Sequence, residues 1–283
     1  MTPETTSATC PVCELPLVFS IERQKTLTCS NGHRFDAAKQ GYFNFLTGKG
    51  TNFLEDTAPM VQAREDFQAK GHYAPLAQRL AELINQHHHR DVLDILDAGA
   101  GTGYYLGEVL TATASTTHDA LALDISRYAM RRAAKVPSTL AMVWDVWRRL
   151  PTADASRDVV LNCFAPHNPA EFRRVLRPNG LCLVVTGQPD HLHEVIEPLG
   201  MLSVAEGKQE ILVEKFGGEQ LEHMASENLS YTMKLDSVDL YNLAFMGPAG
   251  HHLSPQILRD KATSLGQQEV TASFGVHIFS PQA

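Results

Sequence analysis

A chain of 283 residues with a formal net charge of −8 is long enough to bury a core without disulfide staples. The polar start, charged only at Glu4, lacks the basic and apolar regions of a signal peptide, and no apolar run reaches the length of a membrane span; a cytoplasmic protein is expected. The acidic total argues against a wholly basic nucleic-acid binder and leaves room for a local basic surface.

Three of the five cysteines crowd the first thirty residues, whereas Cys163 and Cys182 sit alone inside apolar runs. That division points to a metal site plus two buried thiols, not to a disulfide framework. The spacing is Cys10-x2-Cys13-x15-Cys29-x3-His33. The first pair forms a knuckle that turns two thiolates onto one metal, and Cys29 with His33 completes a tetrahedron. Four protein ligands close the site, which predicts one structural zinc per chain and a ribbon over residues 1–46 whose folding depends on it and whose core is separate from that of the main domain.

Residues 47–54, with Gly48 and Gly50, read as a linker. Two helices follow, one from Thr57 to Lys70 stopped by Gly71, the other starting near Pro75 with Leu76, Leu80, Leu83 and Ile84 at helical spacing. Linker and helices together span 47–90. From there to residue 283 strand and helix alternate. Val92–Leu96, Ala120–Leu123, Leu140–Trp144, Val159–Phe164 and Leu181–Val185 are short apolar strands, which implies an α/β fold with a parallel sheet covered on both faces. Leu229 to Leu235 and Val270 to Ile278 alternate apolar with polar residues, predicting an antiparallel pair at the sheet edge.

The stretch from Leu93 to Tyr105 carries the chemistry. An apolar strand ends in Asp97, and Gly99, Gly101 and Gly103 follow at every second position. Glycines there let the backbone turn sharply and approach a ligand at the carboxyl edge of the sheet. The dinucleotide frame G-x-G-x-x-G fails, because its third position falls on Tyr104 or Leu106. The acid-x-Gly-x-Gly-x-Gly form is that of S-adenosylmethionine-dependent methyltransferases, whose ligand has an amino-acid end and no phosphate. Asp124 ends the second strand, where a carboxylate can accept both ribose hydroxyls; its plainer role is a helix cap, for which Ser126 is better placed. Asp145 ends the third strand, either to meet the adenine amino group or as a turn aspartate.

The chain resembles the RlmA-type guanine-N1 methyltransferases of 23S ribosomal RNA. The resemblance rests on the ribbon and its sequel from Gly32 to Leu46, on Ala63-Arg64-x-x-Phe67, Gly71-His72-Tyr73-x-Pro75, Asp97 to Tyr105, and Ala165-Pro166. It implies a class I methyltransferase fold with a Rossmann-like seven-stranded sheet, zinc on Cys10, Cys13, Cys29 and His33, and a homodimer. Cofactor contacts are implied for Tyr73, Gly101, Thr102 and His191. Asp145 has no counterpart expected in the best-known branch, so its adenine role rests on the wider superfamily. The activity implied is methyl transfer to a guanine in a 23S hairpin loop. A ribbon-bearing methyltransferase of another substrate, or a non-catalytic cofactor-binding protein, is the alternative.

Guanine N1 carries a proton at neutral pH that must leave during transfer. Asn162, the Ala165–Pro166 turn and His167 lie near the end of the fourth strand, but none is singled out as a base. Two basic groups stand out: Arg127, Arg131, Arg132, Lys135, Arg148 and Arg149, a local excess of +5 against Asp145 that is either an RNA contact or a solvated helix face, and Arg23, Lys25, Arg34 and Lys39 on the ribbon beside Tyr42 and Phe43, a candidate for phosphate and stacking contacts. The triplet His87–His89 closes a helix and is assigned no site.

Overall fold

The structure is a computed structural model that describes residues 5–20, 25–46, 50–115, 117–203 and 207–282. Its N-terminal part is an antiparallel four-stranded sheet of β1 (Thr5–Thr9), β2 (Pro16–Phe19), β3 (Thr26–Thr28) and β4 (Arg34–Asp36), in that order. The chain then enters a two-residue strand, β5 (Phe43–Asn44). Helix α1 (Ala58–Ala69) starts where the Thr57 hydroxyl accepts the Met60 N–H and ends before Gly71, at a left-handed φ of 77°. Helix α2 (Ala74–His87) buries Leu76, Leu80, Leu83 and Ile84, the stripe read from the sequence.

The rest of the chain is β6 (Val92–Ala98), α3 (Tyr104–Ala112), β7 (Thr117–Asp124), α4 (Arg127–Ala133), β8 (Thr139–Val143), β9 (Arg157–Cys163), α5 (Pro169–Val175), β10 (Leu176–Gly187), α6 (His193–Leu199), α7 (Lys208–Gly217), β11 (Leu221–Leu235), α8 (Ser237–Phe245), α9 (Ala249–His252), α10 (Pro255–Leu265) and β12 (Gln268–Pro281). Among the described residues the second sheet has eight strands in the order β11-β12-β10-β9-β6-β7-β8-β5. Strands β5 to β10 run parallel, and β12 and β11 close the edge antiparallel, as the alternating tail predicts. Parallel strands covered by helices on both faces are buried throughout, and β9 is buried along its whole length, with Val159, Val160 and Leu161 at its centre and the polar Arg157, Asp158 and Asn162 toward its ends. Strand order reverses between β6 and β9, which opens a crevice at their carboxyl ends.

Two features depart from the sequence reading. The expected seven strands gain an eighth, because the chain leaving the ribbon lays Phe43 beside Met142 and the Phe45 N–H bonds to the Val143 carbonyl at 3.2 Å. The ribbon and main sheet, moreover, do not have separate cores. Leu17, Leu27, Phe35 and Phe45 pack in one apolar cluster with Leu96, Leu121, Met142 and Trp144 from the main sheet. Polar bonds tighten the seam. The fully buried Arg157 donates to the Ser7 carbonyl at 3.1 Å, and the Thr9 N–H reaches the Pro151 carbonyl at 2.9 Å.

Phe45 sits at the centre of that seam, 4.8 Å from the Phe35 ring and 6.5 Å from Trp144. Phe45→Ala is expected to cost about 3–5 kcal/mol of unfolding free energy. Denaturant unfolding followed by both fluorescence and circular dichroism should show one shifted transition; a small early step with the main transition unmoved would mean that the ribbon unfolds separately.

Candidate functional site

The three glycines after β6 have different surroundings. Gly99 turns at a φ of 87°, and a Cβ there would fall 2.2 Å from Ala165 Cβ, so the loops after β6 and β9 meet at this point. The N–H groups of Gly99 and Ala100 both donate to the Leu123 carbonyl, at 2.8 and 2.9 Å. Gly101, at a φ of 54°, faces open space toward Arg64, and its N–H donates to Asp124 Oδ2 at 2.9 Å. Gly103 starts α3 at a φ of 79°; a Cβ there would meet Ala133 Cα at 3.0 Å. It does not line the cleft, and its requirement is helix packing.

The cleft has a volume of about 640 Å³, within the range of small-molecule sites. Tyr73, Asp97, Gly99, Gly101, Thr102, Asp124, Asp145 and His191 all line it. Asp97 is buried, and its Oδ1 has no hydrogen-bond partner. Burial, and then the charge of Asp124, push its carboxyl up to about 8. Asp124 is also raised by burial, against the lowering effect of the N–H groups of Ser126 and Gly101. Each of its oxygens accepts one of those bonds and retains a lone pair for a ligand hydroxyl. Asp145 accepts from the Trp147 N–H at 3.0 Å and from the Thr51 hydroxyl at 2.8 Å. The described part of the expected linker therefore forms cleft wall, including Phe53 and Leu54; residues 47–49, and Gly48 with them, lie outside the described residues.

His191 accepts the Ser273 N–H on Nδ1 at 3.1 Å, which places its own proton on Nε2. Burial lowers its pKa to about 4, so the ring is neutral at physiological pH. It packs on Phe274 at 4.8 Å and near Tyr73 at 6.4 Å. Burial raises the Tyr73 hydroxyl well above its ordinary range. The Thr102 hydroxyl donates to buried Gln68 at 2.7 Å, tying the glycine loop to α1. Two orphaned buried atoms, Asp97 Oδ1 and the Tyr105 hydroxyl, belong to cleft residues, and a ligand with polar groups would satisfy them.

At the ribbon, the ligand atoms of Cys10, Cys13, Cys29 and His33 all lie within 4.8 Å of one another. Cys13 Sγ is 3.6 Å from Cys29 Sγ, and His33 Nδ1 is 3.3 Å from Cys29 Sγ and 3.6 Å from Cys10 Sγ. A zinc tetrahedron with ordinary bond lengths has edges of roughly 3.5–3.8 Å, so the donor set fits one zinc held through Nδ1.

The chain matches two family models, "RlmA, N-terminal" over residues 8–48 and "Methyltransferase domain" over residues 95–180. It is 41% identical, over 96% of each chain, to the 23S rRNA (guanine(748)-N(1))-methyltransferase of Streptomyces fradiae. It is 38% identical, again over 96% of each, to a Micromonospora griseorubida protein described as a 23S rRNA (guanine-N(1)-)-methyltransferase. The chain belongs to the RlmA methyltransferase family. Among solved structures, a chain from the complex of the Haloferax volcanii Trm112 activator with its methyltransferase superposes with a TM-score of 0.53 at 15% identity, covering 82% of this chain and all of that one. That likeness establishes the class I fold. The cofactors of this RlmA enzyme are S-adenosylmethionine and one structural zinc.

The basic run on α4 and after β8 is largely engaged within the chain, with Lys135 left exposed and without an acidic partner among the described residues. Arg127 pairs with Glu55 at 3.3 Å, Arg132 with Glu65 at 3.1 Å, and Arg149 with Glu14 and Asp154 at 3.2 and 3.3 Å. Arg148 bonds the Gly50 carbonyl and covers the Trp144 ring, and Arg131 lies over Tyr128. The acids come from other segments, so a count along the chain could not find them. On the ribbon, by contrast, Lys25, Arg34 and Lys39 are exposed, with no acidic partner among the described residues; Arg23 lies outside them.

Asn162 and His167 are occupied structurally. The Asn162 amide donates to the carbonyls of Ala98 and Pro166, at 2.7 and 3.0 Å, and its Oδ1 accepts from His167 Nδ1 at 2.5 Å. Sequence reasoning passed over Gln68, Phe164 and the Tyr105 hydroxyl. Tyr105 stood in the glycine stretch, whereas nothing in the order of residues marked Gln68 or Phe164.

Two tests follow from these centres. Elemental analysis of protein purified without chelator should find one zinc per chain. Stripping it should lower the melting temperature of the whole chain, because the ribbon shares the sheet's core; an unmoved melting curve would show that the metal is not structural. For Asp97 the raised pKa means that the ligand-free carboxyl holds a proton below pH 8. A cationic ligand group against Oδ1 favours the ionised form, so cofactor binding at about pH 6.5 should release a proton, and none well above pH 8. Calorimetry in buffers of different ionisation enthalpy measures this, and Asp97→Asn should abolish the release. Equal release in that variant would place the titrating group elsewhere.

Proposed function

We propose that this enzyme transfers the methyl group of S-adenosylmethionine to N1 of a guanine in a hairpin loop of 23S ribosomal RNA. The observation that carries the proposal is that the alignment to the Streptomyces fradiae protein runs through the ribbon and the cleft together. Tyr73, Asp97, Gly99, Gly101, Thr102, Asp124, Asp145 and His191 are the proposed cofactor contacts, with Gly103 shaping the turn behind them. In this reading Asp124 takes the ribose hydroxyls, Asp97 the ammonium and Asp145 the adenine amino group.

When bound, S-adenosylmethionine supplies a methyl group already activated by its sulfonium. The chain therefore has to align the guanine and exclude water. Phe164 follows β9 at the cleft, in a left-handed φ of 54° that an aromatic residue rarely adopts. The residue is 46% exposed while its ring leans on Tyr73, Tyr105 and Phe274, which suits a platform for a base turned out of its stack. No side chain is assigned as general base. The ribbon's Lys25, Arg34 and Lys39 are the proposed phosphate contacts. A homodimer working in the cytoplasm completes the reading, and light scattering tests the dimer.

Methyl transfer to unmodified 23S RNA, mapped by primer extension, decides the matter, because N1 methylation blocks base pairing and stops the polymerase. A stop at one loop guanine supports the proposal; transfer to some other acceptor, with no such stop, overturns it. Replacing Arg34 and Lys39 together should weaken binding of the hairpin RNA and lower the log–log salt slope by roughly one unit per lost phosphate contact. Affinity for S-adenosylmethionine should not change. An unaltered slope would leave those charges without a role in RNA binding.

A further inference from the structure

Among the described residues the cleft wall holds four carboxylates, Asp56, Asp97, Asp124 and Asp145, and a single Arg or Lys side chain, Arg64 on α1. A wall of acids suits the sulfonium and ammonium of S-adenosylmethionine, but the same ligand ends in a carboxylate. Placed among four acids without a cation, that carboxylate would lose its hydration and meet repulsion. His191 is neutral, and His251 turns its Nε2 to Asp56 at 3.3 Å.

Arg64 is anchored through one nitrogen. Nη2 bonds Asp56 Oδ2 at 2.7 Å and the Met246 carbonyl at 2.6 Å, joining α1, the segment before it and the end of α8. Nη1 has no hydrogen bond among the described residues. It lies opposite the glycine turn, where a Cβ on Gly101 would sit 3.7 Å from Nη1 and 4.0 Å from Cδ. With Nη2 held, the guanidinium plane is fixed, and Nη1 presents its donor without further loss of side-chain freedom. The absent side chain at Gly101 leaves the space in front of it to a ligand.

We infer that Arg64 binds the carboxylate of the cofactor's amino-acid end through Nη1, with Asp56 and Met246 holding the guanidinium in place. The inference rests on S-adenosylmethionine occupying this cleft.

Calorimetry with S-adenosylhomocysteine and with its decarboxylated analogue, which lacks only the carboxylate, tests it. Wild-type protein should bind the first more tightly by about ten- to a hundredfold, the range of a charge-assisted hydrogen bond. Arg64→Gln should lose most of that preference by weakening S-adenosylhomocysteine alone, and Arg64→Lys should regain part of it. Equal affinity of wild-type protein for both ligands would overturn the inference while leaving the cofactor reading intact; failure of wild-type protein to bind either would sink the cofactor reading itself. A variant that weakens both ligands equally would make Arg64 a brace only. One that binds both as wild type does but loses the hairpin RNA would assign it to the nucleic acid instead. The wild-type comparison needs no substitution and stands even if the variants fold poorly.

Discussion

The contact between Gly99 and Ala165 sets the geometry of everything around the cleft. Strands β6 and β9 are neighbours at the point where strand order reverses, and the loops leaving them diverge to opposite faces of the sheet. They can still touch because Gly99 has no Cβ and tolerates a left-handed backbone. The touch holds the turn down, so that two successive N–H groups reach the Leu123 carbonyl and a third reaches Asp124. The ends of β6, β7 and β9 are thereby locked together, with Asp97, Asp124 and Phe164 around one space. A larger residue at position 99 would part the loops and take the acids out of register with one another.

Electrostatics divides the molecule into two regimes. The cleft concentrates carboxylates where burial raises the cost of ionising them and a neighbouring acid adds to it; Asp97 and Asp124 are both shifted upward. Such a site is poised for a cation, so the phosphates of an RNA need their contacts elsewhere. The arginines of α4 partly neutralise their own surroundings through Glu55 and Glu65. Unpaired positive charge remains on the ribbon, separated along the chain from the cleft acids. An overall charge of −8 is therefore compatible with phosphate contact, because counterion release depends on the surface that touches the phosphates.

How much of this was legible in the sequence follows from how local each signal is. The ligand spacing of Cys10, Cys13, Cys29 and His33 and the form of the glycine turn are set by neighbours within a few dozen residues; the four ligand atoms do come together, and the turn lies in a methyltransferase domain. The apolar strands and the alternating tail were legible as well, since period and burial are local properties. What escaped was non-local. Nothing in the order of residues marked Arg157, yet it lies buried against Ser7, 150 residues away. The +5 run looked free until Glu14, Glu55 and Glu65 folded against it. Gly103 carried the same motif signal as Gly101, and only packing against Ala133 separates a turn former from a ligand neighbour.

The shared core gives the zinc centre a consequence for the cleft. Zinc orders the knuckles that shape the ribbon sheet, and that sheet buries Phe35 against Phe45. Phe45 in turn packs on Trp144, whose indole N–H is held by the Arg149 carbonyl at 3.1 Å. Trp144 lines the cleft directly before Asp145, and the backbone of Val143 is held by Phe45 through the added strand. Closely packed interiors transmit displacement because they have little free volume to absorb it. A loosened ribbon would therefore move the cleft wall formed by Trp144 and Asp145 even if β6 and its glycine turn stayed in place. A ribbon tethered by a linker alone could recognise RNA without regard to the cleft. This one is built into the wall beside it, so the surface proposed for the substrate and the pocket proposed for the cofactor keep a fixed distance and orientation.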